Sequence, residues 1–139
     1  MAMTRILERL YLGGAGDADD LADSNPLGIT AVVNVNTQPN KSKRAGIQYV
    51  HFPLDESETI PPRTFVPVIA ALSQLIRTGK VLVHCEAGSS RAPVVAALYL
   101  HVVGYKNFDE ALAEIKALRP VVSPSKSIIA TAKAYLEAL

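Results

Sequence analysis

Apolar positions along this chain keep two rhythms, one of period two and one of period three to four, broken by glycine and proline. Leu7 to Leu12 reads as a short extended stretch that ends at the turn Gly13-Gly14. Asp17 to Ala22, acidic with apolar punctuation, reads as a short helix. Ala31 to Val35 is rich in β-branched residues and predicts a buried strand. Gln48 to Phe52 alternates as a strand does, and Pro53 ends it. Pro61-Pro62 opens a segment running to about Arg77, with Phe65, Ile69, Leu72 and Ile76 at helical spacing. Pro67 places the start of its regular helix nearby, and Thr78-Gly79 closes it ahead of a strand over Lys80 to His84. Three helices follow. Arg91 to Val103 stops at Gly104, and Asn107 caps Phe108 to Leu118, with Asp109 and Glu110 in the first turn. Pro120 ends that helix, and Ser123-Pro124 starts the last one, through Ile128, Ala132, Tyr135 and Leu136.

Strands that alternate with helices and then give way to a helical half predict an α/β domain. Its central mixed, mostly parallel sheet would be flanked by helices on both sides, in three layers. Residues 1–139 suffice for one core and not two, and no repeat, low-complexity tract or linker interrupts them.

Charge narrows the function classes. The net charge is +1 and the ionic residues are dispersed, so nucleic-acid binding through bulk charge is disfavoured. The only basic cluster, Lys41, Lys43 and Arg44, reads as a solvated turn. No apolar run is long enough to span a bilayer, and the N-terminal residues lack the apolar core of a signal peptide, so a cytoplasmic protein without membrane contact is expected. Cys85 is the one cysteine, which excludes an intrachain disulfide and disfavours a cysteine-based metal site. His51, His84 and His101 form no recognised ligand pair, and neither metal nor cofactor is expected.

The chemistry concentrates in His84-Cys85-Glu86-Ala87-Gly88-Ser89-Ser90-Arg91, between the apolar runs Val81-Leu82-Val83 and Pro93 to Leu98. A strand, a tight turn and a helix start fit this pattern. Such a turn directs backbone N–H groups inward and adds the positive end of a helix, making an anion site from residues Glu86 to Arg91. Cys85 would lie at its bottom and Arg91 on its rim, an arrangement suited to thiolate attack on a phosphate. Chance alone yields His-Cys-x-x-Gly-x-x-Arg in this composition with odds on the order of one in ten thousand. Free cysteine is mostly thiol at neutral pH, so the thiolate needs the N–H donors, the helix end and the guanidinium. The planar fork of Arg91 matches two phosphate oxygens; Gly88 allows close backbone approach, and Ala87 and Ser89 do not fill the cradle. His84 reads either as a residue ordering the loop or as a satisfied histidine at a strand end.

Expulsion of an alkoxide or phenoxide also requires a proton donor. Asp55-Glu56-Ser57-Glu58-Thr59 follows a predicted strand, where ligands of open α/β sheets bind. Pattern favours Asp55, with Glu56 and Glu58 as fallbacks; a loop of merely solvated acids is the alternative.

On these residues the chain resembles the cysteine-dependent protein phosphatases of the dual-specificity type, in the protein tyrosine phosphatase superfamily. Beyond the loop, Tyr11-Leu12-Gly13 with Asp17 and Asp19, Gly28 to Val35, and Asp109 to Leu112 through Arg119-Pro120 and Pro124 are similar to that family's segments. The resemblance implies a metal-independent, two-step reaction. Cys85 would take the phosphoryl group while Asp55 protonates the leaving oxygen, and Asp55 would then act as base for the hydrolytic water. Asp55 precedes Cys85 by 30 residues, comparable with the family's separation. A shallow pocket accepting phosphoserine, phosphothreonine and phosphotyrosine follows, on a phosphorylated protein or a small phosphate ester. The family usually has serine or threonine directly after the arginine, where this chain has Ala92. That predicts slower hydrolysis of the phosphocysteine, unless Ser89 or Ser90 compensates. The rival readings are a phosphatase of a non-protein ester (lipid, glucan or RNA 5′ end), a weakly active phosphoprotein-binding module, and a sulfur- or arsenate-handling enzyme. No lysine lies inside the loop to favour a phosphoinositide, and no second thiol supports arsenate reduction. Reversible oxidation of Cys85 is a separate expectation. Oligomeric state is not specified.

Overall fold

The computed structural model describes residues 2–139. A hairpin of β1 (Thr4–Leu7) and β2 (Leu10–Gly13) leads into the short helix α1 (Ala15–Asp20). Then come β3 (Ile29–Asn34), β4 (Gln48–His51), a 3-10 turn at Pro62–Thr64, α2 (Phe65–Ile76) and β5 (Lys80–His84). The chain finishes with α3 (Arg91–Val102), α4 (Phe108–Leu118) and α5 (Lys126–Glu137). The sheet order is β1-β2-β5-β3-β4, antiparallel only between β1 and β2.

Strand alternation divides the core in two. Leu10, Leu12, Ala31, Val33, Val81 and Val83 face α2 to α5, whereas Tyr11, Val32 and Leu82 meet Ala18 and Leu21 of the α1 segment. Three layers result, one helical layer far thicker than the other. With both faces covered, β2, β3 and β5 carry apolar residues at nearly every position, as buried parallel strands do. α3 is the innermost helix. Every residue from Ala92 to Leu100 is buried, and α2, α4 and α5 pack around it. Gly13, Asn34, His51 and His84 end the four parallel strands along one edge of the sheet, and the motif loop leaves β5 there.

Several elements depart from expectation for identifiable reasons. The stretch Leu7 to Leu12 is the middle of a hairpin and takes in only the last residue of the first strand, which lies at a half-buried sheet edge with a weak apolar signal. Pro67 does not delay α2: it is the third residue of that helix, where its missing N–H has no intrahelical acceptor anyway. α5 begins just beyond Ser123-Pro124, capped by Ser125, whose hydroxyl accepts from the Ile128 amide, while the Ser123 amide donates to the Ser89 carbonyl. The Lys41, Lys43 and Arg44 cluster lies in the loop before β4, but it is not simply solvated. Arg44 caps the α1 segment through the Leu21 carbonyl at 3.1 Å, and Lys43 Nζ sits 5.5 Å from the Tyr49 ring centroid. No helix among the described residues is long and apolar enough to cross a membrane.

The Asn107 cap falls where the sequence puts it: its Oδ1 accepts from the Glu110 amide at 3.0 Å. Replacing Asn107 with Ala should cost about 1 kcal/mol of unfolding free energy, whereas Leu98→Ala, in the fully buried α3, should cost about 2–5 kcal/mol. Urea titration of both variants checks the contrast.

Candidate active site

The loop from Cys85 to Ser90 has no regular structure, yet each of its carbonyls is held from outside. The Cys85 carbonyl meets His84 Nδ1 at 3.0 Å, and the Glu86 carbonyl accepts from the Ala15 amide at 2.8 Å. Arg119 donates Nη2 to the Ala87 carbonyl at 3.2 Å and Nε to the Gly88 carbonyl at 3.0 Å. The Ser89 carbonyl accepts from the Ser123 amide at 2.8 Å, and the Ser90 carbonyl from the Val94 amide at 3.3 Å. A trans peptide plane sends its N–H opposite to its C=O. Anchoring these six carbonyls outward therefore turns the N–H groups of residues 86 to 91 the other way, and none of them donates to an oxygen acceptor among the described residues. Cys85 is buried at the start of this turn.

Two glycines make the packing feasible. Gly88 has φ +67°, and a Cβ there would lie 2.6 Å from the Gly13 carbonyl oxygen. A Cβ on Gly14 would lie 2.7 Å from the Glu86 carbonyl oxygen.

Arg119 is 1% exposed and has no carboxylate partner among the described residues. Besides the two loop carbonyls, its Nη1 donates to the Ala2 carbonyl at 2.8 Å and to Thr4 Oγ1 at 3.0 Å. Four oxygen acceptors compensate the desolvated guanidinium. Sequence reading attaches no role to Arg119. The available signal was an arginine at the end of an amphipathic helix, immediately before proline.

His84 is equally buried, and a chain of amides fixes its tautomer. Asn34 Oδ1 accepts from the Asn36 amide, and its Nδ2 donates to the Gln38 carbonyl and to Asn40 Oδ1. Asn40 must then present its Nδ2 to His84 Nε2, 2.9 Å away. Nε2 is the acceptor, so Nδ1 carries the hydrogen and donates to the Cys85 carbonyl. Burial holds the His84 pKa below the ordinary value, against the Cys85 carbonyl bond and the charges of Asp19, Asp17 and Glu86. His84 is thus a histidine at a strand end with both ring nitrogens satisfied, one of them on the first carbonyl of the loop.

Arg91 opens α3. Its Nη1 donates to the Leu54 carbonyl at 2.9 Å, while Nε is buried without a partner. The edge of the guanidinium that carries Nε therefore remains uncommitted. Asp55 follows Leu54 directly, which brings its exposed carboxylate beside the loop. Its Oδ1 accepts from Ser57 Oγ at 2.6 Å and from the Ser57 amide at 3.0 Å. These two bonds, in that order, hold its pKa below the ordinary carboxylate value, with the Arg91 charge adding a smaller push. Glu56 does something different: Oε2 accepts from Ser90 Oγ at 2.7 Å. Glu58 is exposed, and its amide donates to the Asp55 carbonyl. Glu86 is tied back by Asn36 Nδ2 at 2.8 Å. Ala92 is fully buried, and the Ser90 hydroxyl is already committed to Glu56. No group of three or more His, Cys, Asp or Glu residues suited to a metal ion occurs among the described residues.

The depressed His84 pKa carries a sign. Between the folded value and the unfolded value near 6.5 the unfolded chain binds more protons, so stability is fully present above about pH 6.5 and lost as pH falls. The melting temperature of wild type should drop more between pH 7.5 and 5.5 than that of His84→Gln. Equal drops would put the titration elsewhere.

Comparison with known proteins agrees with this geometry. The family described as "Dual specificity phosphatase, catalytic domain" matches residues 10–137. Dual specificity protein phosphatase 5 of Rattus norvegicus is 35% identical over 122 residues, covering 86% of this chain and 32% of that protein. Dual specificity protein phosphatase 2 of Mus musculus is 30% identical over 126 residues, covering 89% and 40%. The chain thus spans about a third of the length of such curated relatives. A variant of human DUSP28 superposes with a TM-score of 0.88 at 28% identity, covering 99% of this chain and 96% of that one. A mouse dual specificity phosphatase complexed with zinc tungstate does so at 0.85 and 29%, covering 99% and 87%. The family match runs from the start of β2 to the end of α5, and the chain belongs to the dual specificity phosphatase catalytic-domain family.

Proposed function

We propose that this chain is a single catalytic domain that hydrolyses phosphate monoesters of tyrosine, serine and threonine through a cysteinyl-phosphate intermediate, without metal or cofactor. The observation that carries this reading is the set of six anchored carbonyls around the chain's one cysteine, which leaves the six amides of residues 86 to 91 free to meet an anion. The Cys85 thiolate attacks phosphorus, an S–P bond forms, and the P–O bond to the leaving group breaks. Asp55 gives that oxygen its proton. Water then attacks phosphorus, Asp55 takes the water's proton, and the S–P bond breaks to release orthophosphate. The loop amides of residues 86 to 91 hold the equatorial oxygens. With Nη1 on Leu54, Arg91 offers Nε and Nη2 as the fork for two of them. Resting Asp55, held ionised by Ser57, suits the base step; the acid step requires its proton and is favoured at lower pH.

The substrate is a phosphorylated protein or a small phosphate ester. A cytoplasmic location belongs to this reading, because an unpaired thiol nucleophile needs a reducing compartment. The absence of lysine from the loop argues against a polyphosphorylated lipid.

Hydrolysis of phenyl phosphate in EDTA tests the mechanism. Turnover should vanish in Cys85→Ser, fall about 10²-fold or more in Asp55→Ala, and in wild type climb as pH falls from 7 toward 6. Turnover surviving in Cys85→Ser would end the thiolate reading.

Ala92 favours a second reading, a domain that captures phosphoproteins and releases phosphate slowly. A hydrogen bond to a charged group is worth roughly 1.5–3 kcal/mol, so Ala92→Ser should speed breakdown of the phosphocysteine by about one to two orders of magnitude. Rapid-quench measurement of the intermediate decides it; an unchanged decay rate would remove Ala92 from the account.

A further inference from the structure

We propose that Glu56 is a positioning residue that straps the Asp55 segment to the phosphate loop and sets where the proton donor stands. This rests on the reading of Asp55 as general acid and adds a residue that reading does not require. Two bonds tie the segment to consecutive residues, the last of the loop and the first of α3. The Leu54 carbonyl accepts from Arg91 Nη1 at 2.9 Å, and Glu56 Oε2 accepts from Ser90 Oγ at 2.7 Å. Asp55 is the residue between the tie points. Its exposed carboxylate touches nothing of the loop itself, bonding only to Ser57. Its placement is therefore inherited from its two neighbours.

Both ties are charge-assisted, the first through the guanidinium donor and the second through the carboxylate acceptor. The second also reaches a third element. Ser125 Oγ lies 3.4 Å from the same Glu56 oxygen, and the Ser125 amide lies 3.4 Å from Ser90 Oγ. Ser125 is the cap of α5, so the junction joins the acid segment, the phosphate loop and the last helix at one carboxylate oxygen. A merely solvated loop acid would show none of these contacts. The junction also explains why the Ser90 hydroxyl does not serve Cys85.

A strap of this kind acts on the proton-transfer step and not on phosphate binding. Glu56→Ala should therefore slow phenyl phosphate, whose leaving group needs the proton, by tenfold or more. It should slow 4-nitrophenyl phosphate, whose leaving group needs it little, by less than threefold, with KM unchanged for both. Glu56→Gln retains an acceptor oxygen for Ser90 and should recover most of the loss. The Asp55→Ala/Glu56→Ala double variant should be no slower than Asp55→Ala. Hydrogen exchange supplies a readout independent of turnover: the Ser57 and Glu58 amides, which donate to Asp55, should exchange about tenfold faster in Glu56→Ala. Equal slowing of both esters, multiplicative losses in the double variant, or unchanged exchange would each overturn the strap. If Asp55→Ala itself shows no leaving-group dependence, the acid assignment and this inference fall together. An Asp55 effect without a matching Glu56 effect overturns the inference alone.

Discussion

Six neighbouring peptide units that leave their N–H groups without acceptors are a high-energy arrangement unless something holds them. Aligned N–H dipoles repel one another and leave their donors without acceptors, so the cost is met on the carbonyl side. Here the anchors come from five separate places: the imidazole preceding the loop, the start of α1, the end of α4, the connection into α5 and the first turn of α3. The parallel sheet brings Gly13 and Asn34 level with His84, and so sets the α1 segment and the asparagine network against the loop. Much of the architecture can be understood as the means of delivering these donors to one edge.

Charge is arranged to the same end. A buried guanidinium lies behind the loop and a second one borders it, while the nearby carboxylates are each restrained: Glu86 by Asn36, Glu56 by Ser90, Asp55 by Ser57. Restraint of this sort keeps anionic side chains from folding over a site built to receive an anion. It also divides labour within a stretch of three acids. One carboxylate is exposed and bonds only to Ser57, one is spent on a bond to Ser90, and one is simply solvated.

The parts of this that could be read from sequence are those written in local pattern. The β5–loop–α3 unit is contiguous, its small residues and its cysteine–arginine spacing are chemically specific, and both strand and helix begin where expected. The Asn107 cap was legible for the same reason. Arg119, Ser123, Ala15 and the Asn34–Asn36–Asn40 set were not, since each reaches the loop or its flanking histidine through polar contacts with residues far away in the chain. Nor did position distinguish Asp55 from Glu56, because adjacent acids in one loop look alike until Ser90 is brought to one of them. The hairpin was half missed because its edge strand buries too little to leave a pattern.

The bonds from Arg119 to Ala2 and Thr4 have a consequence for the life of the chain. They close a circuit across almost the whole polypeptide, so the cradle around Cys85 cannot be completed by any N-terminal portion alone. During synthesis the cysteine and its arginine leave the ribosome together, but the clamp behind them arrives some thirty residues later. A nascent chain therefore carries Cys85 and Arg91 before it carries the guanidinium that holds the loop carbonyls between them.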